Sequence, residues 1–141
     1  MFAAHSEDKT RIQKFYSSVD ELKEAADTFD ARGYDVYFAL AVLGEDDSRK
    51  VSNVKTLSSF FLDLDCGPSK DFPTQADALN ELKEFCKATK LPKPFILDSG
   101  RGIHVYWFLT EPVARDDWVP VAEKLKRLCA EYEFAADPAV T

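Results

Sequence analysis

At 141 residues, with 45% hydrophobic and 13% aromatic content, the chain suits one domain with its own core and is too apolar to be disordered. Its net charge of −7 excludes a surface that coats nucleic acid indiscriminately, while leaving room for a local basic strip. No apolar run approaches the ~20 residues of a membrane span, and the N-terminus is too polar for a secretory signal.

The first 17 residues show no clear period, although Ile12, Phe15 and Tyr16 can dock on the body. Ser18 and Glu21 have the spacing of a capping box, and Leu22, Ala25, Ala26 and Phe29 follow at helical intervals until Gly33. This predicts a scaffold helix with no chemistry in it. From Tyr34 to Leu43 the chain reads as one strand, apolar on both faces and therefore central or covered on both sides. A charged loop (44–50) leads to a second strand from about Leu57 to Asp65, and the two strands suit a long hairpin. Gly67, Pro68 and Pro73 break the chain directly after the acids. Thr74 and Asp77 then cap a helix with Ala78, Leu79, Leu82, Phe85 and Cys86 on one face, ended at Leu91-Pro92-Lys93-Pro94.

Phe95-Ile96-Leu97-Asp98 reads as a short buried strand and Ser99-Gly100-Arg101-Gly102 as a tight turn. In the following strand, Ile103 to Leu109, His104, Tyr106 and Phe108 share one face, and Ile103, Val105 and Trp107 the other. Tyr106 and Trp107 either pack or lie near a base. A last helix starts near Asp116 or Asp117, burying Trp118, Val121, Ala122, Leu125, Leu128, Cys129 and Tyr132, and Phe134 to Asp137 reads as the start of one more strand. The three cysteines (Cys66, Cys86, Cys129) are widely spaced and the histidines number two, a pattern of reduced thiols in a cytoplasmic protein rather than of a structural zinc site.

Two stretches carry chemistry. In Phe60-Phe61-Leu62-Asp63-Leu64-Asp65, strand alternation puts Asp63 and Asp65 on one face, about 7 Å apart, with Leu62 and Leu64 directed into a core. Two carboxylates so placed beside apolar residues repel each other and call for a cation, and Mg²⁺ favours one or two carboxylates plus phosphate oxygens. The alternative is an exposed strand end with two solvated acids. In Asp98-Ser99-Gly100-Arg101-Gly102-Ile103-His104, the glycines let backbone N–H groups approach an anion, with the imidazole close by. Such a turn alone is an ordinary hairpin connection. Together with the two acids it makes a cradle for a metal–triphosphate.

These two motifs, in order and separated by a capped helix, closely resemble the archaeo-eukaryotic primase superfamily, in particular the primase-polymerase domains of phages and plasmids. The resemblance spans about residues 34–141. It implies an α+β fold: a mixed or antiparallel sheet with an RNA-recognition-motif-like catalytic core and helices packed on the sheet. It implies that Asp63 and Asp65 bind catalytic Mg²⁺ or Mn²⁺ ions, that His104 contacts nucleotide phosphates with Ser99, Arg101 and Lys70 as secondary contacts, and that Asp137 supplies a third metal-binding acid. The arginine-rich segment that follows this acid in the family is missing, so the resemblance implies the N-terminal part (1–141) of a larger catalytic domain. The implied activity is template-directed nucleotidyl transfer in DNA replication. The implied partners are a DNA template and primer, nucleoside triphosphates and a helicase domain or protein, with no membrane. Two alternatives stand beside it. A haloacid-dehalogenase-like phosphatase also has Asp-x-Asp after a hydrophobic strand, but has Thr or Val where this chain has Gly67. A non-catalytic relative would bind only nucleotide or nucleic acid.

Overall fold

The computed structural model describes residues 1–5, 10–44 and 48–136. The fold is α+β, with antiparallel sheets and, among the described residues, three α-helices. Three short strands, β1 (Phe2–His5), β2 (Arg11–Gln13) and β3 (Tyr34–Tyr37), form a sheet of order β2-β1-β3, with helix α1 (Val19–Asp30) between β2 and β3 in the chain. The second sheet contains β4 (Ala41–Leu43), β5 (Val54–Leu64), β6 (Phe95–Asp98) and β7 (Ile103–Ala114) in the order β4-β5-β7-β6. Helices α2 (Gln75–Thr89) and α3 (Arg115–Glu131) and a 3-10 turn at Val51–Asn53 complete the described elements. No helix is long and apolar enough to cross a membrane.

The helix starts follow their capping residues. Ser18 Oγ accepts the Glu21 N–H, but the Glu21 carboxylate turns to Ser17, so only half of the expected capping box forms. At α2 both arms are made: Thr74 Oγ1 accepts the Asp77 N–H, and Asp77 accepts the Thr74 N–H. The main core lies between one face of the second sheet and helices α2 and α3. Leu62, Leu64, Ile103 and Val105 from the sheet meet Leu82, Phe85, Leu125 and Cys129 from the helices, with Phe72 and Phe134 closing the end. Leu62 and Leu64 are fully buried, as the alternation predicts.

Several expectations are corrected. The stretch from Tyr34 to Leu43 is not one central strand. It divides into β3 and β4, at the edges of different sheets, joined by residues 38–40, and Tyr37, Phe38 and Val42 are exposed. Only its second half pairs with β5, over Ala41–Leu43. The strand Phe95–Asp98 exists but is an exposed edge rather than a buried strand, because β7 is its only described neighbour. On α3, Trp118, Ala122, Leu125 and Cys129 are buried, whereas Val121 and Tyr132 lie on the solvent side. Residues 134–136 form no strand; Phe134 instead stacks on Phe85, centroids 4.5 Å apart.

Candidate functional site

The two longest strands, β5 and β7, run antiparallel with Phe61 opposite Tyr106, Asp63 opposite His104 and Leu64 opposite Ile103. Directly opposed residues project from the same face. The face opposite the buried Leu62 and Leu64 therefore carries Phe61, Asp63, His104 and Tyr106, with Phe95 and Leu97 added from β6 in register with Tyr106 and His104. Two residues far apart in the chain, Asp63 and His104, become a pair with His104 Nε2 3.8 Å from Asp63 Oδ1. Both side chains are about one-third to two-fifths exposed, open to a ligand yet fixed from behind.

Aromatic contacts hold the imidazole. Phe61 meets it edge-on with centroids 5.3 Å apart, and the Tyr106 hydroxyl lies 3.4 Å from Nδ1. Burial, and secondarily the Asp63 carboxylate, push the Tyr106 phenol up from its ordinary pKa. Phe61, His104, Tyr106 and Leu97 also line part of an open cleft of about 490 Å³, whose far wall includes Phe38 and Leu40.

Asp65 lies one residue past the end of β5 and is more exposed than Asp63. Its Oδ2 accepts a 2.8 Å hydrogen bond from Lys70 Nζ, which reaches back from the loop after the strand. That hydrogen bond, with the Asp65 charge behind it, pushes the Lys70 ammonium up from its ordinary pKa. The repulsion expected between the two acids is thus relieved in part by the chain itself. Asp63 faces an imidazole and Asp65 an ammonium.

The turn after β6 is more closed than its glycines suggest. Asp98 Oδ1 accepts the Gly100 N–H at 2.7 Å, Ser99 Oγ accepts the Gly102 N–H at 3.2 Å, and the Gly102 carbonyl accepts the Ser99 N–H at 3.1 Å. Three of its amides are therefore donated within the turn rather than held open for an anion, which corrects the backbone cradle expected from the sequence. The Ser99 hydroxyl oxygen is engaged as the acceptor of one of them. Arg101 is exposed and supplies the turn's cationic side chain. Gly100 has φ +89°, a conformation that glycine adopts without strain. Gly102 has a different reason: a Cβ there would lie 2.3 Å from the Leu64 carbonyl oxygen and 3.3 Å from Asp65 Cα. The turn is pressed against the strand end that carries the acids.

One residue at the site has no motif to announce it. Gln75, the first residue of α2, donates from Nε2 to Asp98 Oδ1 at 2.8 Å and to the Gly102 carbonyl at 3.1 Å. The Gly100 amide first, and Gln75 second, hold the Asp98 carboxyl below its ordinary pKa. Its only sequence signal is its place directly after the Thr74 cap. Trp107 points to the helix-covered face and donates its indole N–H to the Pro92 carbonyl at 2.8 Å, so it packs. Asp137 lies outside the described residues. Among the described residues there is no group of three or more His, Cys, Asp or Glu arranged to hold a metal ion. The carboxylates of Asp63 and Asp65 stand at the end of one strand, and oxygen donors of this kind suit Mg²⁺ or Mn²⁺ when substrate phosphates and water complete the shell.

No protein-family model matches this sequence, and neither a curated protein nor a solved structure matches it significantly.

Proposed function

We propose that this chain carries the catalytic site of a primase-polymerase-like nucleotidyltransferase, built on an RNA-recognition-motif-like sheet. The observation that carries the reading is the juxtaposition of Asp63 and His104 across β5 and β7, with Asp65, Lys70 and the Arg101 turn gathered at the same strand end. The chemistry of these residue types and the resemblance both single out the two stretches in the sequence. Their gathering at one end of β5 and β7 is what the reading needs.

Asp63 and Asp65 would hold Mg²⁺ or Mn²⁺, and such ions activate the primer's 3′-hydroxyl and stabilise the departing pyrophosphate. The chain's own residues bind and orient. His104 donates a hydrogen bond from an imidazole N–H to a phosphate oxygen. Arg101 and Lys70 add positive charge at the same end, Lys70 by exchanging its Asp65 partner for phosphate. The apolar cleft beside His104 offers Phe61 and Tyr106 to the nucleoside part of the substrate. DNA template and primer and nucleoside triphosphates are the partners this activity requires, and a helicase domain or protein is the partner the resemblance implies.

The phosphatase reading is less well supported. Its nucleophile strand belongs in a parallel sheet, and β5 is flanked on both sides by antiparallel partners. Incubation with primed DNA, labelled nucleotide and Mn²⁺ tests the proposal. Incorporation by the parent protein, lost in Asp63→Ala with the circular-dichroism spectrum unchanged, is the expected result. Normal incorporation by Asp63→Ala would refute the assignment of that acid, and nucleotide binding without incorporation would favour a non-catalytic binder.

A further inference from the structure

We infer that Gln75 is a positioning residue for the phosphate-binding end of this site, fixing the 98–102 turn against the end of β5. The inference rests on the functional reading above and extends it to a residue outside the motifs.

The argument begins at the helix start. The reciprocal Thr74–Asp77 hydrogen bonds fix the first turn of α2, and the buried Ala78, Leu82 and Phe85 fix the helix body on the sheet. Gln75 thus projects from a rigid base, and one amide nitrogen reaches two separate points of the turn, at Asp98 and Gly102. Asp98 in turn receives the Gly100 amide, and Gly102 abuts the Leu64 carbonyl. Helix, turn and strand end therefore form a closed chain of contacts around Arg101. Without the Gln75 amide, the turn keeps its internal bonds, Gly100 to Asp98 and the two between Ser99 and Gly102, but loses its hydrogen bonds to α2. Arg101 would then lose its fixed approach to an anion, and His104, two residues past Gly102, its fixed lead-in.

The test uses the Mn²⁺ complex of a deoxynucleoside triphosphate as probe and compares the parent protein with two variants. Gln75→Ala removes both donors, and affinity is expected to fall roughly fivefold to tenfold, as for lost hydrogen bonds to a charged partner and its support. Gln75→Glu keeps the size but sets a carboxylate against the Asp98 carboxylate and the Gly102 carbonyl, so its loss is expected to be larger. In both variants the Gly100 and Gly102 amides exchange faster with solvent. Thermal midpoint and affinity for template DNA stay near the parent values, because Gln75 is not part of the core cluster. Parent-like triphosphate affinity in both variants would overturn this inference alone. A parent protein that binds no triphosphate would overturn the functional reading, and this inference with it.

Discussion

The two sheets of this protein are made in contrasting ways. The first uses strands of four, three and four residues and, together with α1, has only Ala3 and Phe29 buried. The second runs strands of 11 and 12 residues through its centre and packs them on two helices of 15 and 17 residues over an apolar core. Every described candidate site residue belongs to the second sheet, to the loops at its end or, for Gln75, to the start of a helix packed on it. A site that must hold an acid and an imidazole a few ångströms apart needs supports whose own positions are over-determined. Long cross-strand registry and a buried opposite face provide that, and three-residue strands do not.

The contrast can be broken most directly in the core. Leu62→Ala, at a fully buried position directly before Asp63 in β5, is expected to cost about 2–5 kcal/mol. Ile12→Ala, in the half-buried β2, is expected to cost about 1 kcal/mol. Urea unfolding followed by circular dichroism measures both, and equal losses would remove the distinction between the two sheets. A smaller effect is expected at the seam between turn and strand. Gly102→Ala forces a Cβ into the Leu64 carbonyl, and overpacking of this kind costs about 1–3 kcal/mol. Amide chemical shifts at Leu64 and Asp65 are expected to move with it, and a variant with parent stability and unmoved shifts would mean that the close approach does not constrain the site. His104→Ala has the smallest stability effect of the four but a selective functional one. It is expected to weaken triphosphate binding about tenfold, the scale of one hydrogen bond to a charged group, while sparing affinity for template DNA. Parallel losses in both affinities would make His104 structural.

The site was legible where the sequence pattern was long. Alternation through Phe60–Asp65 set Leu62 and Leu64 inward and Asp63 outward, and alternation through Ile103–Phe108 set His104 on one face with Tyr106. Each strand's pattern says which way a side chain points, but not which strand lies beside it. The opposition of Asp63 and His104 therefore needed the structure. The same limit explains the misreading of Tyr34–Leu43: apolar residues on both faces mark a covered central strand, yet here the run passes from one sheet to another through residues 38–40, of which Phe38 and Ala39 are exposed. Phe95–Asp98 reads as buried because a short apolar run looks alike at the centre and at the edge of a sheet. Gln75 was illegible for a different reason. Its hydrogen bonds reach residues 23 and 27 positions away, and a single amide contacting a distant turn leaves no period and no motif.

The central claim is that Asp63 and His104 share one metal–triphosphate site. The chain has two histidines, His5 on β1 and His104 on β7, so their ring proton resonances provide one probe in each sheet. Adding Mn²⁺ with a deoxynucleoside triphosphate and recording those resonances measures how close the ion comes to each. The account predicts strong paramagnetic broadening of the His104 ring, little at His5, and loss of the His104 effect in Asp63→Ala. Broadening of His104 that persists unchanged in Asp63→Ala, or none at either ring, would contradict it.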